Sequence, residues 1–190
     1  ESAFWNAESQ SFYVSNIGPL VPPFTDAAAA KDGNGYLSKL EAGYPPQRWV
    51  EGLNSPKGIR AHGGTLYVAD VDEVIAVDIK SGLIERRIPV PVLSFGVTRG
   101  VLNDPDIQGH DLYVSDFRAF NVWRIDLWPG RDPNPEVFVG QTALMPYGQP
   151  NGVIVRGNRL FIGTGPAPAA PAVGYAGATG GYVLEVDLRS

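Results

Sequence analysis

The stretch "LNDPDIQGHDLYVSD" at residues 102–116 decides the fold, because the chain writes nearly the same pattern twice more. "NSPKGIRAHGGTLYVAD" occupies 54–70 and "QPNGVIVRGNRLFIGT" occupies 149–164. Each copy holds a polar residue, a short β-rich run, a glycine-containing turn and a second strand built around an aromatic residue. Self-similarity of this kind is the signature of a repeat architecture.

The repeat unit contains four short strands. Its second strand appears as "FYVSN", "LYVAD", "LYVSD" and "LFIGT", at spacings of 54, 46 and 48 residues, and further β-rich runs precede and follow it. That period and strand count are typical of a β-propeller blade. We therefore predict an all-β propeller of four-stranded antiparallel blades in a single domain, 1–190. The predicted blades cover about 1–52, 55–90, 102–140 and 149–190, the last without its outer strand.

Composition excludes several classes of protein. The 190 residues carry a net charge of −5 with no basic stripe, so we expect no nucleic-acid partner. No apolar run approaches the roughly 20 residues of a membrane-spanning helix, and the absence of cysteine excludes disulfides and thiolate chemistry.

The ends of the chain give two further expectations. Because the chain starts at Glu1 and stops inside a predicted turn, we expect four blades of six here, with the remaining blades supplied by missing sequence or by another chain. We also expect a periplasmic or secreted protein, with the cytoplasm as the alternative.

One end of the blades collects polar residues. Lys57, Asn103 and Asn151 each stand ten residues before the central aromatic of their repeat, at the start of the first strand. First strands line the channel of a propeller, so these positions predict one channel mouth. Strand order places at the same end the two long inserts, 18–35 and 165–181, and the residues Glu1, Asn16, Asp70, Asp116 and Thr164. The opposite end carries the two histidines, His62 and His110, which we interpret as surface turn residues, and the hairpin residues Asp78, Asp126 and Asp187.

Three motifs carry a family resemblance. "ESAFWNAESQSFYVSN" at 1–16, "LNDPDI" at 102–107 and "PNGV" at 150–153 resemble the gluconolactonase, senescence-marker-protein and luciferin-regenerating-enzyme-like family of six-bladed propellers. The resemblance implies one divalent cation, Ca²⁺ or Zn²⁺, at the channel mouth and hydrolysis of a small-molecule lactone. By the same resemblance, Glu1 and Asn151 are metal ligands, and Asn103 meets the metal's water shell or the substrate. The family's catalytic Asp would lie beyond Ser190.

The match is incomplete at the predicted site. Val101 stands where the family has a substrate-binding Arg, and Lys57 adds a cation that could bind a carboxylate. We predict substrate contacts from Asn103, Lys57, Asp70 and Asp116.

Each of these assignments has a structural alternative. The alternatives are a frayed terminus for Glu1, turn caps for the two asparagines, a salt-bridged channel residue for Lys57 and turn-stabilising roles for the two aspartates.

Because the propeller fold hosts many functions, two other functions stay open. The first is a non-catalytic propeller that binds a protein or small ligand over the mouth. The second is a lyase or synthase.

Overall fold

The computed structural model describes residues 2–19, 26–91, 100–165 and 180–189. Glu1 and most of both inserts therefore lie outside the described residues. By its internal packing the chain divides into two units, Glu1–Val90 and Pro91–Ser190, and each is described by itself.

The first unit contains two four-stranded antiparallel sheets. Their strand orders are β1-β2-β3-β4 and β5-β6-β7-β8, so each strand pairs with the next along the chain, and we call the sheets blades 1 and 2. The strands of blade 1 are β1 Ser2–Asn6, β2 Ser11–Asn16, β3 Gly35–Glu41 and β4 Gln47–Leu53. Those of blade 2 are β5 Pro56–His62, β6 Thr65–Asp70, β7 Glu73–Asp78 and β8 Ile84–Pro89.

The second unit contains a four-stranded and a three-stranded antiparallel sheet, which we call blades 3 and 4. The strands of blade 3 are β9 Leu102–Gln108, β10 Asp111–Asp116, β11 Asn121–Asp126 and β12 Pro135–Val139. A short helix, α1 Gln141–Leu144, and a 3-10 turn, Met145–Tyr147, lead to blade 4. Its strands are β13 Pro150–Arg156, β14 Arg159–Thr164 and β15 Val183–Asp187. Among the described residues no helix has the length and hydropathy needed to cross a membrane.

The two blades of each unit share an apolar core. In the first unit, Tyr13 and Leu37 of blade 1 belong to the same buried cluster as Leu66 and Ile75 of blade 2. In the second unit, Tyr113 of blade 3 packs in one cluster with blade 4 residues. Inner strands covered on both faces are apolar at consecutive positions, as in "VIAV" of β7, where Val74–Val77 are all buried.

The prediction of antiparallel blades built from short consecutive strands is confirmed, and blade 4 has three strands within the described residues. Residues Ala27–Ala29 of the first insert form a single 3-10 turn, and the Ala28 amide donates to the Asp26 carboxylate. The helix α1 was not predicted, because four residues are too few to show a helical period.

Candidate functional site

The first strands of blades 2, 3 and 4 all contain an irregularity at the predicted mouth residue. The register of β5 with β6 shifts between Pro56 and Ile59, which places the pair Lys57 and Gly58 opposite Ala69 alone. The same shift occurs in β9 and in β13. Two residues opposite one partner form a β-bulge, a feature that re-aims side chains and is common next to active sites.

The bulges of blades 3 and 4 bring two predicted site residues together. Asn103 Nδ2 donates to Asn151 Oδ1 at 2.8 Å and to the Asn151 carbonyl at 3.2 Å. Asn151 is exposed and Asn103 is partly exposed. The amides therefore form an accessible pair, although 48 residues separate them along the chain.

A carboxylate that the sequence analysis passed over lies beside this pair. Asp104 is the second residue of the β9 bulge, and its Oδ2 lies 3.6 Å from the position that a Cβ on Gly152 would take. Gly152 is the second residue of the β13 bulge. Asp104 was not predicted because the ten-residue spacing identifies only the first residue of each bulged pair, which in β9 is Asn103.

Lys57 lies at its bulge in the first unit but is not open to solvent. Only 4% of its surface is exposed, and its Nζ donates to the Ala28 carbonyl at 2.8 Å and to the Ser55 carbonyl at 2.9 Å. The Ala28 contact comes from the first insert. Lys31 of the same insert pairs with Asp72 at 2.6 Å.

Asp70 and Asp116, predicted substrate contacts, are fully enclosed. Asp70 is 0% exposed and accepts the backbone N–H groups of Asn54 and Ser55. Burial raises the pKa of the Asp70 carboxyl, and these two hydrogen bonds oppose the shift. Neither carboxylate is exposed to bind a substrate in this structure, and the contacts fit the turn-stabilising alternative.

Asp116 makes the corresponding contacts in blade 3. It is 1% exposed and accepts from the backbone amides of Val101 and Ala119 and from Trp123 Nε1. Val101, at the family's arginine position, thus uses its backbone to hold the turn before β9.

In both inserts, the residues that the structure describes lie at the end of the blade where its first strand begins. Residues 26–31 of the first insert contact Lys57 and Asp72, as above. For the second insert, Gly165 N donates to the Gln149 carbonyl, two residues before Asn151. The predicted end of the blade is confirmed for these residues in each unit, whereas 20–25 and 166–179 lie outside the described residues.

The residues predicted for the opposite end lie there. His62 ends β5 and His110 lies in the turn after β9, at the far ends of these strands from Lys57 and Asn103. Asp126 accepts from the Trp128 amide, Asp78 accepts from Ser81, and Asp187 accepts from Arg189. These hydrogen bonds lower the pKa of all three carboxyls, that of Asp187 to about 2.

The side-chain oxygens of Asn103, Asn151 and Asp104 are ligands suited to a hard cation. Within the described part of the chain, no group of three or more His, Cys, Asp or Glu residues could hold a metal. Amide and carboxylate oxygens are the ligands that Ca²⁺ takes, whereas Zn²⁺ prefers nitrogen and sulfur. These residues therefore fit Ca²⁺ as a partial ligand set, and Glu1 lies outside the described residues.

Comparison with known proteins finds similarity in structure only. No family model and no curated protein matches the chain. The PQQ-bound aldose sugar dehydrogenase from Streptomyces coelicolor is similar, with a TM-score of 0.63 and 14% identity over 97% of this chain and 60% of that one. The luciferin-regenerating enzyme gives a TM-score of 0.63 and 13% identity over 98% of this chain and 60% of that one.

A third structure agrees with these two. A putative 6-phosphogluconolactonase from Bacteroides uniformis gives a TM-score of 0.59 and 14% identity over 84% of this chain and 48% of that one. The chain has the fold of a β-propeller. It spans 60% of the length of the first two structures, and identities this low support the fold alone. The three similar proteins are propeller enzymes.

Proposed function

We propose that this β-propeller is a metal-dependent hydrolase of lactones or related esters, a member of the gluconolactonase and luciferin-regenerating-enzyme-like family. One observation carries the proposal: Asn103 and Asn151 meet at 2.8 Å, side chain to side chain, on two adjacent bulged strands. Turn caps would be satisfied by local backbone groups, whereas this pair joins two blades and stays accessible.

The pair is set up to present oxygens. Asn103 Nδ2 donates both of its hydrogen bonds to Asn151, which fixes the orientation of both side-chain amides. An amide oxygen has two lone pairs, so Asn151 Oδ1 keeps one for a ligand, and Asn103 Oδ1 has its own. With Asp104 nearby, the site offers one carboxylate and two neutral amides. Glu1 stays a further predicted ligand.

A divalent cation at these oxygens would polarise the carbonyl of a bound lactone. The chain's own residues would hold and orient the substrate, with Asn103 positioned by its bulge and Asp104 supplying negative charge. The similar structures include both a sugar dehydrogenase and a putative lactonase. Hydrolysis is proposed over oxidation because of the sequence motifs around Asn103 and Asn151.

The test uses the full-length protein. Ca²⁺, Zn²⁺ and Mg²⁺ are titrated by calorimetry, and a panel of sugar lactones is assayed, with wild type, Asn151→Ala and Asn103→Ala. Asn134→Ala is the matched control, since Asn134 is an exposed asparagine in the turn between β11 and β12. We expect Ca²⁺ binding and turnover in wild type and in the control.

Asn151→Ala should weaken Ca²⁺ binding by about tenfold or more, because ligand number and charge tune Ca²⁺ affinity over decades. Asn103→Ala should reduce turnover with less effect on metal affinity. Metal binding and turnover that both survive Asn151→Ala would remove this site from consideration. Absence of metal binding in wild type would favour the non-catalytic propeller.

A further inference from the structure

A second cleft lies at the other end of blades 3 and 4. It has a volume of about 610 Å³, within the range of small-molecule sites, and is bordered by the turns after β9, β11 and β13. Because Asn103 and Asn151 stand at the opposite ends of β9 and β13, this cleft is separate from the proposed hydrolase site.

An aromatic ring forms one wall of the cleft. Trp128 is 51% exposed, which is unusual for a side chain with so much apolar surface. Its ring is held in place: His110 packs edge-on at 4.1 Å between ring centroids, and the Arg131 guanidinium lies 5.9 Å from the ring centroid. The Trp128 amide donates to Asp126 Oδ1 at 2.8 Å. The cleft thus presents a pre-oriented apolar face.

The charges around this ring are already paired with each other. Arg131 Nη1 contacts Asp126 Oδ2 at 3.2 Å. Arg124 Nη2 contacts Glu136 at 2.6 Å, and Arg124 Nε lies 3.9 Å from Asp111. Because each of these charges already has a partner of opposite sign, the cleft favours neither an anionic nor a cationic ligand. A neutral ligand with hydroxyl groups could bond to the remaining lone pairs and N–H groups without breaking them.

One lining side chain lacks a partner. The carbonyl oxygen of Gln108 is buried and has no hydrogen-bond donor. A buried acceptor without a donor is uncommon in native structures and marks a place where a ligand or water completes the bonding.

We propose that this cleft binds a neutral carbohydrate. The apolar C–H face of a sugar ring stacks on Trp128, and its hydroxyl rim bonds to Gln108 and to the paired carboxylates and guanidinium groups. A ligand with one apolar face and a polar rim matches a cleft with one aromatic wall and balanced, paired charges. The binding is independent of the proposed lactone chemistry.

The experiment titrates the full-length protein with cellobiose, maltose and xylobiose, by calorimetry and saturation-transfer NMR. Gluconate and inorganic phosphate serve as charged counter-probes. The variants are Trp128→Ala and Gln108→Leu. Trp5→Ala is the matched control, because Trp5 is similarly exposed, at 44%, on blade 1. Circular dichroism and thermal unfolding verify that each variant is folded.

We expect saturable binding of at least one neutral disaccharide. Trp128→Ala should weaken it by about tenfold, because stacking on an aromatic ring is worth roughly that factor. Gln108→Leu should weaken it by about threefold to tenfold through loss of one hydrogen bond, and it serves as the second variant if Trp128→Ala does not fold. Trp5→Ala and Asn151→Ala should bind as wild type does.

Three results would overturn the proposal. They are the absence of saturable binding for all three disaccharides, binding that is unchanged in Trp128→Ala and Gln108→Leu, and binding of gluconate or phosphate alone.

Discussion

The Ser115 hydroxyl donates a hydrogen bond to the backbone carbonyl of Asn151, 36 residues further along the chain. The hydroxyl oxygen of Ser115 also accepts a hydrogen bond from the Asp104 amide at 3.1 Å. One serine therefore satisfies backbone groups of two bulges, its own and that of the next blade. Ser15 repeats the arrangement in the first unit, donating to the Lys57 carbonyl at 2.6 Å and accepting from the Ser2 amide at 3.0 Å.

Ser115→Ala should lower the free energy of unfolding by about 1–3 kcal/mol, because it removes the side-chain partner of the Asp104 amide and one of the two donors to the Asn151 carbonyl. Urea unfolding measures the change. Thr65→Ala is the control, since Thr65 Oγ1 donates to the exposed Glu85 at the surface and its loss should cost less than about 0.5 kcal/mol. Equal effects of the two variants would show that the Ser115 bonds add nothing.

Gly100→Ala tests the enclosure of Asp116. A Cβ at Gly100 would lie 2.6 Å from Asp116 Oδ2, so the carboxylate must move and weaken its hydrogen bonds. We expect a loss of about 1–3 kcal/mol of stability. Gly140→Ala is the matched control, because its nearest contact is an ordinary 3.5 Å.

For Asp116 itself, Asp116→Asn separates the two roles considered for this residue. A turn-stabilising carboxylate predicts a drop in thermal stability, because in either orientation the amide nitrogen would face an N–H donor, from Trp123 or from the backbone. A substrate contact predicts lower turnover in a protein of unchanged stability.

Lys57→Met should release the described part of the first insert. The substitution removes the donor to the Ala28 carbonyl, next to the buried residues Ala29 and Ala30. Hydrogen–deuterium exchange of residues 26–34 should rise. Lys39→Met, which removes only a partly exposed pair with Glu41, is the control. Unchanged exchange in Lys57→Met would contradict the anchoring role.

The pKa values of Asp187 and Asp70 should depart from the usual 3.8 in opposite directions. Hydrogen bonds from Arg189 hold the pKa of Asp187 at about 2, so its contribution to stability is complete above 3.8 and is lost as pH falls toward 2. Burial raises the pKa of Asp70, so its effect has the opposite sign: stability falls as pH rises through the interval above 3.8. Carbon-detected NMR titration of the side-chain carboxyls measures both. A common pKa near 3.8 would contradict this assignment.

Much of the fold was predictable because it depends on local patterns. The recurring aromatic strand and the hairpin aspartates, Asp78, Asp126 and Asp187, mark strand positions within each repeat. The helix α1 could not be predicted, because the four residues "QTAL" are too few to show a helical period of apolar residues.

The site was less predictable, because its contacts join distant segments. Spacing identified Asn103 and Asn151 as equivalent positions, but not the bulges that pair them. The burial of Lys57 depends on a carbonyl at Ala28, 29 residues earlier, which no local pattern around Lys57 could reveal. Asp70 shows the converse: its turn contacts are local and were foreseeable as an alternative.

The bulges also separate two evolutionary demands on the same strand. In β9 the register from Pro105 to Gln108 is set by pairing with β10 and by the core, whereas Asn103 and Asp104 stand outside that regular ladder. Substitution of these two residues changes the chemistry at the strand's end without shifting any apolar side chain to the wrong face. In a propeller built in this way, substitutions at the bulges can change the ligand contacts of one blade while the residues that determine strand register and core packing stay the same.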